Sequence, residues 1–141
     1  MTDPRDCTFC KIAIHELPAV VVQEDNDLVI MMDLYPATPG HILILPKSHI
    51  EDIYSLPLEL GARIMVTSIA VAKAVKRSLR PDGLNLIQAN QTTAGQTIHH
   101  FHLHIVPRYV KDGVILNFGH GAKSAEKREL ERIAMQVRSA L

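Results

Sequence analysis

A chain of 141 residues, 47% of them apolar, has the size and make-up of one globular domain with a substantial core. Lysine plus arginine balances aspartate plus glutamate at 15 each, tryptophan is absent and aromatic residues make up 4%. That composition gives no sign of a broad basic face for duplex nucleic acid and argues against an aromatic platform for stacking bases. The start, MTDPRDCTFCKI, has no basic stretch followed by an apolar one. No run reaches membrane-spanning length, so a cytoplasmic location is expected. In that compartment Cys7 and Cys10, spaced C-x-x-C, read as metal ligands or a redox pair rather than a structural disulfide.

Pro18 precedes the apolar run Ala19 to Val22. The turn Glu24-Asp25-Asn26-Asp27 divides it from Leu28 to Met32, which predicts a hairpin. Tyr35 to Gly40, YPATPG, reads as a loop, and His41 to Leu45 as a short buried strand. Pro57 opens a long helix, Leu58 to Leu79, which stops at Pro81-Asp82-Gly83. A strand follows at Leu84 to Ala89, a loop at Asn90 to Gly95, and a strand at Ile98 to Val106, closed by Pro107. Leu130, Ile133, Ala134, Val137 and Leu141 recur at helical spacing, predicting a helix over about 124–140 with Ser124 as its N-cap. Long βαβ crossovers are too few for a doubly wound sheet. The order predicts a single α+β domain over 1–141, with a mainly antiparallel sheet of about five strands.

The stretch HHFHLHIVPR, His99 to Arg108, concentrates four histidines. On a strand, alternate side chains share a face. His100, His102 and His104 then line one side, while Phe101, Leu103 and Ile105 enter the core. His99 falls on the apolar side and reads as an edge or hydrogen-bonded histidine. Three imidazoles on one face suit a metal site, or a nucleophile with helpers, because neutral imidazole offers a lone pair near neutral pH. The preceding Ala94-Gly95-Gln96-Thr97 suits a phosphoryl oxyanion, with a glycine loop and two polar donors.

The stretch GQTIHHFHLHIVPR resembles the signature of the histidine triad (HIT) family, in which three histidines alternate with apolar residues. MMDLYPATPGHILILPKSHI resembles a second block of the same family, and CTFCKI resembles its zinc-carrying Hint/Fhit-like branch. The similarity covers a core of about residues 7–110. Residues 111–141 match no motif.

The resemblance implies a nucleotidyl hydrolase or transferase, a nucleoside phosphoramidase or dinucleoside polyphosphate hydrolase, acting on purine nucleotides. His102 would be the nucleophile at the α-phosphorus, forming a nucleotidyl-histidine intermediate. His104 would contact the phosphate, and His41 would complete the catalytic cluster. Asp33 would accept from the ribose hydroxyls beside Leu34. Gly95, Gln96 and Thr97 would cradle phosphate oxygens. Many relatives carry asparagine where this chain has Ala89, so Asn90, the next residue, is the candidate for that phosphate contact. Cys7, Cys10, His49 and His100 would form a closed Cys₂His₂ set for a structural Zn²⁺. Such proteins form homodimers through the long helix and an edge strand. Leu60 to Val75 carries apolar residues on more than one helical face, more than one sheet face needs. A non-catalytic purine-nucleotide sensor or adaptor on the same fold is the alternative function. A single catalytic metal centre made from the whole His/Cys set is disfavoured, because four filled positions leave none for substrate.

Overall fold

The computed structural model describes residues 3–116, 124 and 126–140. Its elements are α1 (Thr8–Ala13), β1 (Val21–Glu24), β2 (Leu28–Met32), β3 (Ile42–Pro46), α2 (Leu58–Leu79), β4 (Gly83–Ile87), β5 (Leu103–Arg108) and α3 (Lys127–Ala140). The five strands form one antiparallel sheet in the order β1-β2-β3-β5-β4. The expected α+β architecture is therefore present. No helix among the described residues is long and apolar enough to cross a membrane.

Period-two alternation sorts the sheet's side chains onto two faces. Leu28, Ile30, Ile42, Ile44, Leu103 and Ile105 pack with Phe101 and with Ile64 and Val75 of α2. Val29, Met31, Leu43 and Leu45 take the other face, beneath Cys7, Phe9, Ile12 and Ala13. Ile44, Leu45 and Ile105 are completely buried, each contributing about 2 kcal/mol relative to exposure. His104 pairs with Leu43 across the β3–β5 ladder, so it stands on the α1 face. Both faces are thus covered, one by the long helix and one by the N-terminal segment.

Several boundaries differ from expectation. The histidine strand starts at Leu103 rather than Ile98, and it runs through Pro107 to Arg108 instead of ending at Val106. Phe101 donates its N–H to the Ile50 carbonyl, a loop and not a strand partner, which holds residues 98–102 out of the ladder. Pro107 is tolerated because β3 pairs only with Leu103 to Ile105, and beyond that β5 has β4 alone beside it. β1 begins at Val21 rather than Ala19 and takes Glu24 from the expected turn. β3 and β4 are Ile42–Pro46 and Gly83–Ile87, one residue later and two residues shorter at the end than expected. α2 has the expected bounds, ending on Arg80 in the left-handed region at φ 51°. α3 starts at Lys127, so Ser124 is not its flanking residue. Leu141 lies outside the described residues, as do the side chains of Leu130, Ala134 and Val137.

The sequence patterns missed α1. Its six residues have no side-chain N-cap bond, and so short a helix is not stable alone. Packing of Phe9, Ile12 and Ala13 onto the sheet supplies what local propensity does not.

Candidate active site and metal centre

The three alternating histidines sit at the mouth of β5, in a row against Phe9 and His41. Phe9 meets the edges of the His100 and His102 rings, with centroids 5.8 and 5.1 Å away. The His102 and His104 rings are 4.8 Å apart, and His104 and His41 are 5.1 Å apart. His100 is wholly buried and His102 and His41 nearly so. His99 stands apart, partly exposed, with Nδ1 3.8 Å from Glu51.

Backbone carbonyls assign the protons, because a carbonyl oxygen only accepts. His100 Nε2 donates to the Pro46 carbonyl at 2.7 Å, leaving Nδ1 with a lone pair. His102 Nδ1 donates to the His100 carbonyl at 2.7 Å, leaving Nε2 with a lone pair. Burial pushes the His102 ring below its ordinary pKa, partly offset by that carbonyl. Burial, then the neighbouring His102 and His41, push His104 down to about 4. Burial also lowers His41, against a pull upward from Asp33. At neutral pH the row is uncharged, the state in which imidazole is nucleophilic.

His100 Nδ1 faces two thiols, Cys7 Sγ at 3.4 Å and Cys10 Sγ at 3.5 Å, and His49 Nδ1 lies 3.2 Å from Cys10 Sγ. A tetrahedral ion with ordinary zinc–sulfur and zinc–nitrogen bonds sets sulfur–nitrogen separations of about 3.5 Å. The four donors therefore fit a single ion. Burial and the adjacent Cys7 push the Cys10 thiol up to about 12, so a Cys10 thiolate there calls for a cation. His49 turns Nδ1 towards Cys10, while its Nε2 is buried without a hydrogen-bond partner among the described residues.

Asp33, His41 and His104 form a second group of potential donors. Asp33 Oδ2 is 3.4 Å from His41 Nε2 and 4.0 Å from His104 Nδ1. Its Oδ1 accepts from the Tyr35 N–H at 2.8 Å, a turn that leaves Leu34 81% exposed beside the carboxylate.

The expected phosphate loop is a short turn held from below. Gly95 adopts φ +93°, and a Cβ there would meet nothing within 4 Å, so the demand for glycine is conformational. Gln96 is buried, donates to the Glu51 carbonyl at 2.7 Å and accepts from the Gln91 N–H at 2.7 Å. Its amide therefore builds the loop. Asn90 accepts from the Ile53 N–H at 2.8 Å and exchanges two bonds with Gln88. Thr97 is exposed. Gln91 donates to Asp52 at 2.5 Å, completing a clasp between this loop and the segment after His49. Phe9, Asp52 and Gln91 carried no sequence signal, since their roles come from contacts between distant segments.

A family model described as HIT domain matches residues 15–111. The protein Hit of Bacillus subtilis is 34% identical over 138 residues, spanning 97% of this chain and 95% of the relative. An adenylylsulfatase of Arabidopsis thaliana is 35% identical over 108 residues, 77% of this chain and 55% of that protein. A zinc-bound histidine triad family protein from Mycobacterium smegmatis superposes with a TM-score of 0.75 at 30% identity, covering 99% of this chain and all of that one. The family model spans the turn to His41, the clasped loop and the histidine row. On these grounds the chain belongs to the HIT domain family.

Proposed function

We propose that the protein is a nucleotidyl hydrolase or transferase that attacks the α-phosphate of purine nucleotide derivatives through His102. The observation that carries this reading is the His102 Nδ1 bond to the His100 carbonyl, which frees Nε2. In the first step Nε2 forms a bond to the α-phosphorus, and the bond from phosphorus to the leaving group breaks with its electron pair. The leaving group takes a proton from His104 and departs. In the second step water gives a proton back to His104 as its oxygen bonds to phosphorus, the nitrogen–phosphorus bond breaks with its electron pair returning to Nε2, and a nucleoside monophosphate is released with His102 restored. One hard displacement becomes two easier ones.

His104 and His41 would support this chemistry from beside the nucleophile, and Asp33, next to exposed Leu34, would accept from ribose hydroxyls. Thr97 and the Gly95 turn supply the phosphate-facing surface. Gln96 and Asn90 would act by shaping that loop. Leaving groups that fit include the amine of a phosphoramidate, a nucleoside polyphosphate and, given the adenylylsulfatase relative, another group on an adenylylated compound.

Cys7, Cys10, His49 and His100 would hold a structural Zn²⁺, which when bound would supply charge to stabilise the two thiolates and join the N-terminus to the sheet. A homodimer fits the surface: Leu58, Met65, Val66 and Ile69 of α2 and Leu86 of edge strand β4 leave large apolar side chains exposed. A monomer mass by light scattering at micromolar concentration would reject it. For the activity, incubation with an α-labelled adenosine phosphoramidate or dinucleoside polyphosphate should give acid-labile, base-stable label on wild type and none on His102→Ala. Label retained on the variant would reject the mechanism.

A further inference from the structure

The Pro36–Gly40 turn holds no side chain that the proposed chemistry uses, yet it is fastened at several points. Thr38 is 4% exposed, and its Oγ1 donates to the Pro107 carbonyl at 2.5 Å. The Tyr109 hydroxyl donates to the Pro39 carbonyl at 2.9 Å. Gly40 has φ +90°, and a Cβ there would stand 2.4 Å from Leu79 Cδ1, so the turn lies tight against α2. The His41 N–H returns to the Thr38 carbonyl at 3.2 Å. This frame brings the Ala37 N–H to His41 Nδ1 at 2.9 Å.

A backbone N–H only donates, so the nitrogen it meets must present a lone pair. Neutral His41 then carries its proton on Nε2. That atom lies 2.9 Å from His104 Nδ1 and 3.4 Å from Asp33 Oδ2. If His104 Nδ1 accepts, His104 in turn holds its own proton on Nε2. The same fact decides what the Asp33–His41–His104 group is. Two histidines and a carboxylate resemble a metal site. A metal on His41 Nε2 would require an imidazole stripped of both protons, so the group is a proton-donor chain.

We propose that Thr38 is a positioning residue: by holding the Pro36–Gly40 turn it makes the Ala37 N–H set the tautomer of His41 and, through it, present His104 Nε2–H as donor to a phosphoryl oxygen or leaving group. The last step rests on the nucleotidyl reading above. The tautomer does not.

Nitrogen-15 NMR of the full-length, zinc-loaded protein tests it, together with steady-state kinetics on adenosine phosphoramidate. In wild type, His41 Nδ1 should resonate as an unprotonated nitrogen and Nε2 as a protonated one. Thr38→Val should mix the two tautomers and lower kcat about tenfold while KM stays within about twofold. Thr38→Ser, which keeps the hydroxyl, should restore both. Wild-type His41 protonated on Nδ1 overturns the proposal, and this holds even if Thr38→Val does not fold. A folded Thr38→Val with the wild-type tautomer and kcat also overturns it. An inactive wild type with the expected tautomers would refute the nucleotidyl reading and support the lock. An active wild type with His41 protonated on Nδ1 would refute the lock alone.

Discussion

Two clusters in this chain share histidine pairs but set them against backbone groups of opposite polarity. Around His100, two thiols and two imidazoles converge, and the backbone contact on the far nitrogen is an acceptor, the Pro46 carbonyl. The near nitrogen is therefore bare and suited to a cation. Around His41, a carboxylate and two imidazoles converge, and the backbone contact on the far nitrogen is a donor, the Ala37 N–H. The near nitrogen is therefore protonated and suited to passing a hydrogen bond. The lesson is that ligand-type side chains within a few ångströms do not define a metal site. The polarity of the backbone group behind each imidazole does.

The strongest test of this division is the residue between the clusters. His102→Ala should reduce turnover by at least about 10⁴-fold, roughly 5 kcal/mol of transition-state stabilisation, while purine mononucleotide binding survives. Rate and equilibrium binding measured on the same preparation check it. Near-wild-type turnover would end the distinction between a chemical and a structural cluster.

Next comes the metal. Cys10→Ser should release zinc, measured by elemental analysis, and lower the melting temperature on the order of 15 °C. Its kcat should fall far less than that of His102→Ala. His100→Ala should be more damaging, since it also disturbs the chain beside the nucleophile. A purified protein free of zinc, with Cys10→Ser melting like wild type, would show that the four residues are no site.

Phe9 bridges the comparison, touching the edges of both His100 and His102. Phe9→Leu should cost about 1 kcal/mol of stability and loosen the His102 ring, lowering kcat more than zinc content. Denaturant unfolding and metal analysis separate those effects. Equal losses of metal and rate would mean that the clusters are coupled through Phe9.

The mildest expected effect is on pH. Burial, His102 and His41 hold the folded-state pKa of His104 at about 4, below its ordinary value of 6.5, with Asp33 pulling weakly upward. Between those values the unfolded chain binds the extra proton and the folded one does not. The stability this group contributes is therefore fully present above pH 6.5 and is lost as pH falls towards 4. The melting temperature of His104→Asn should decline less steeply over that window than that of wild type, at equal zinc occupancy. Parallel curves would mean that His104 is not held neutral by the fold.

The sequence by itself determined most of the architecture. Alternating apolar residues placed the sheet, Leu58 to Leu79 was bounded by Pro57 and Pro81, and the His-x-His-x-His spacing put three imidazoles on one side of the chain. Those features depend on local periodicity, which is written in order along the chain. The candidate residues of both clusters were likewise named from the sequence, Cys7, Cys10 and the alternating histidines by their spacing, and Asp33, His41 and His49 by the resemblance to the HIT family. What only the tertiary structure decided is what surrounds each one. The loop contact from Phe101 to Ile50 delayed the strand to Leu103. Gln96, expected to cradle phosphate oxygens, has its amide bonded to the Glu51 carbonyl and the Gln91 N–H. The Thr38 hydroxyl found its acceptor in the Pro107 carbonyl, 69 residues away. Where a proton sits on an imidazole depends on which backbone group the folded chain sets behind it: a neighbour in the same segment for His41 and His102, and the distant Pro46 for His100.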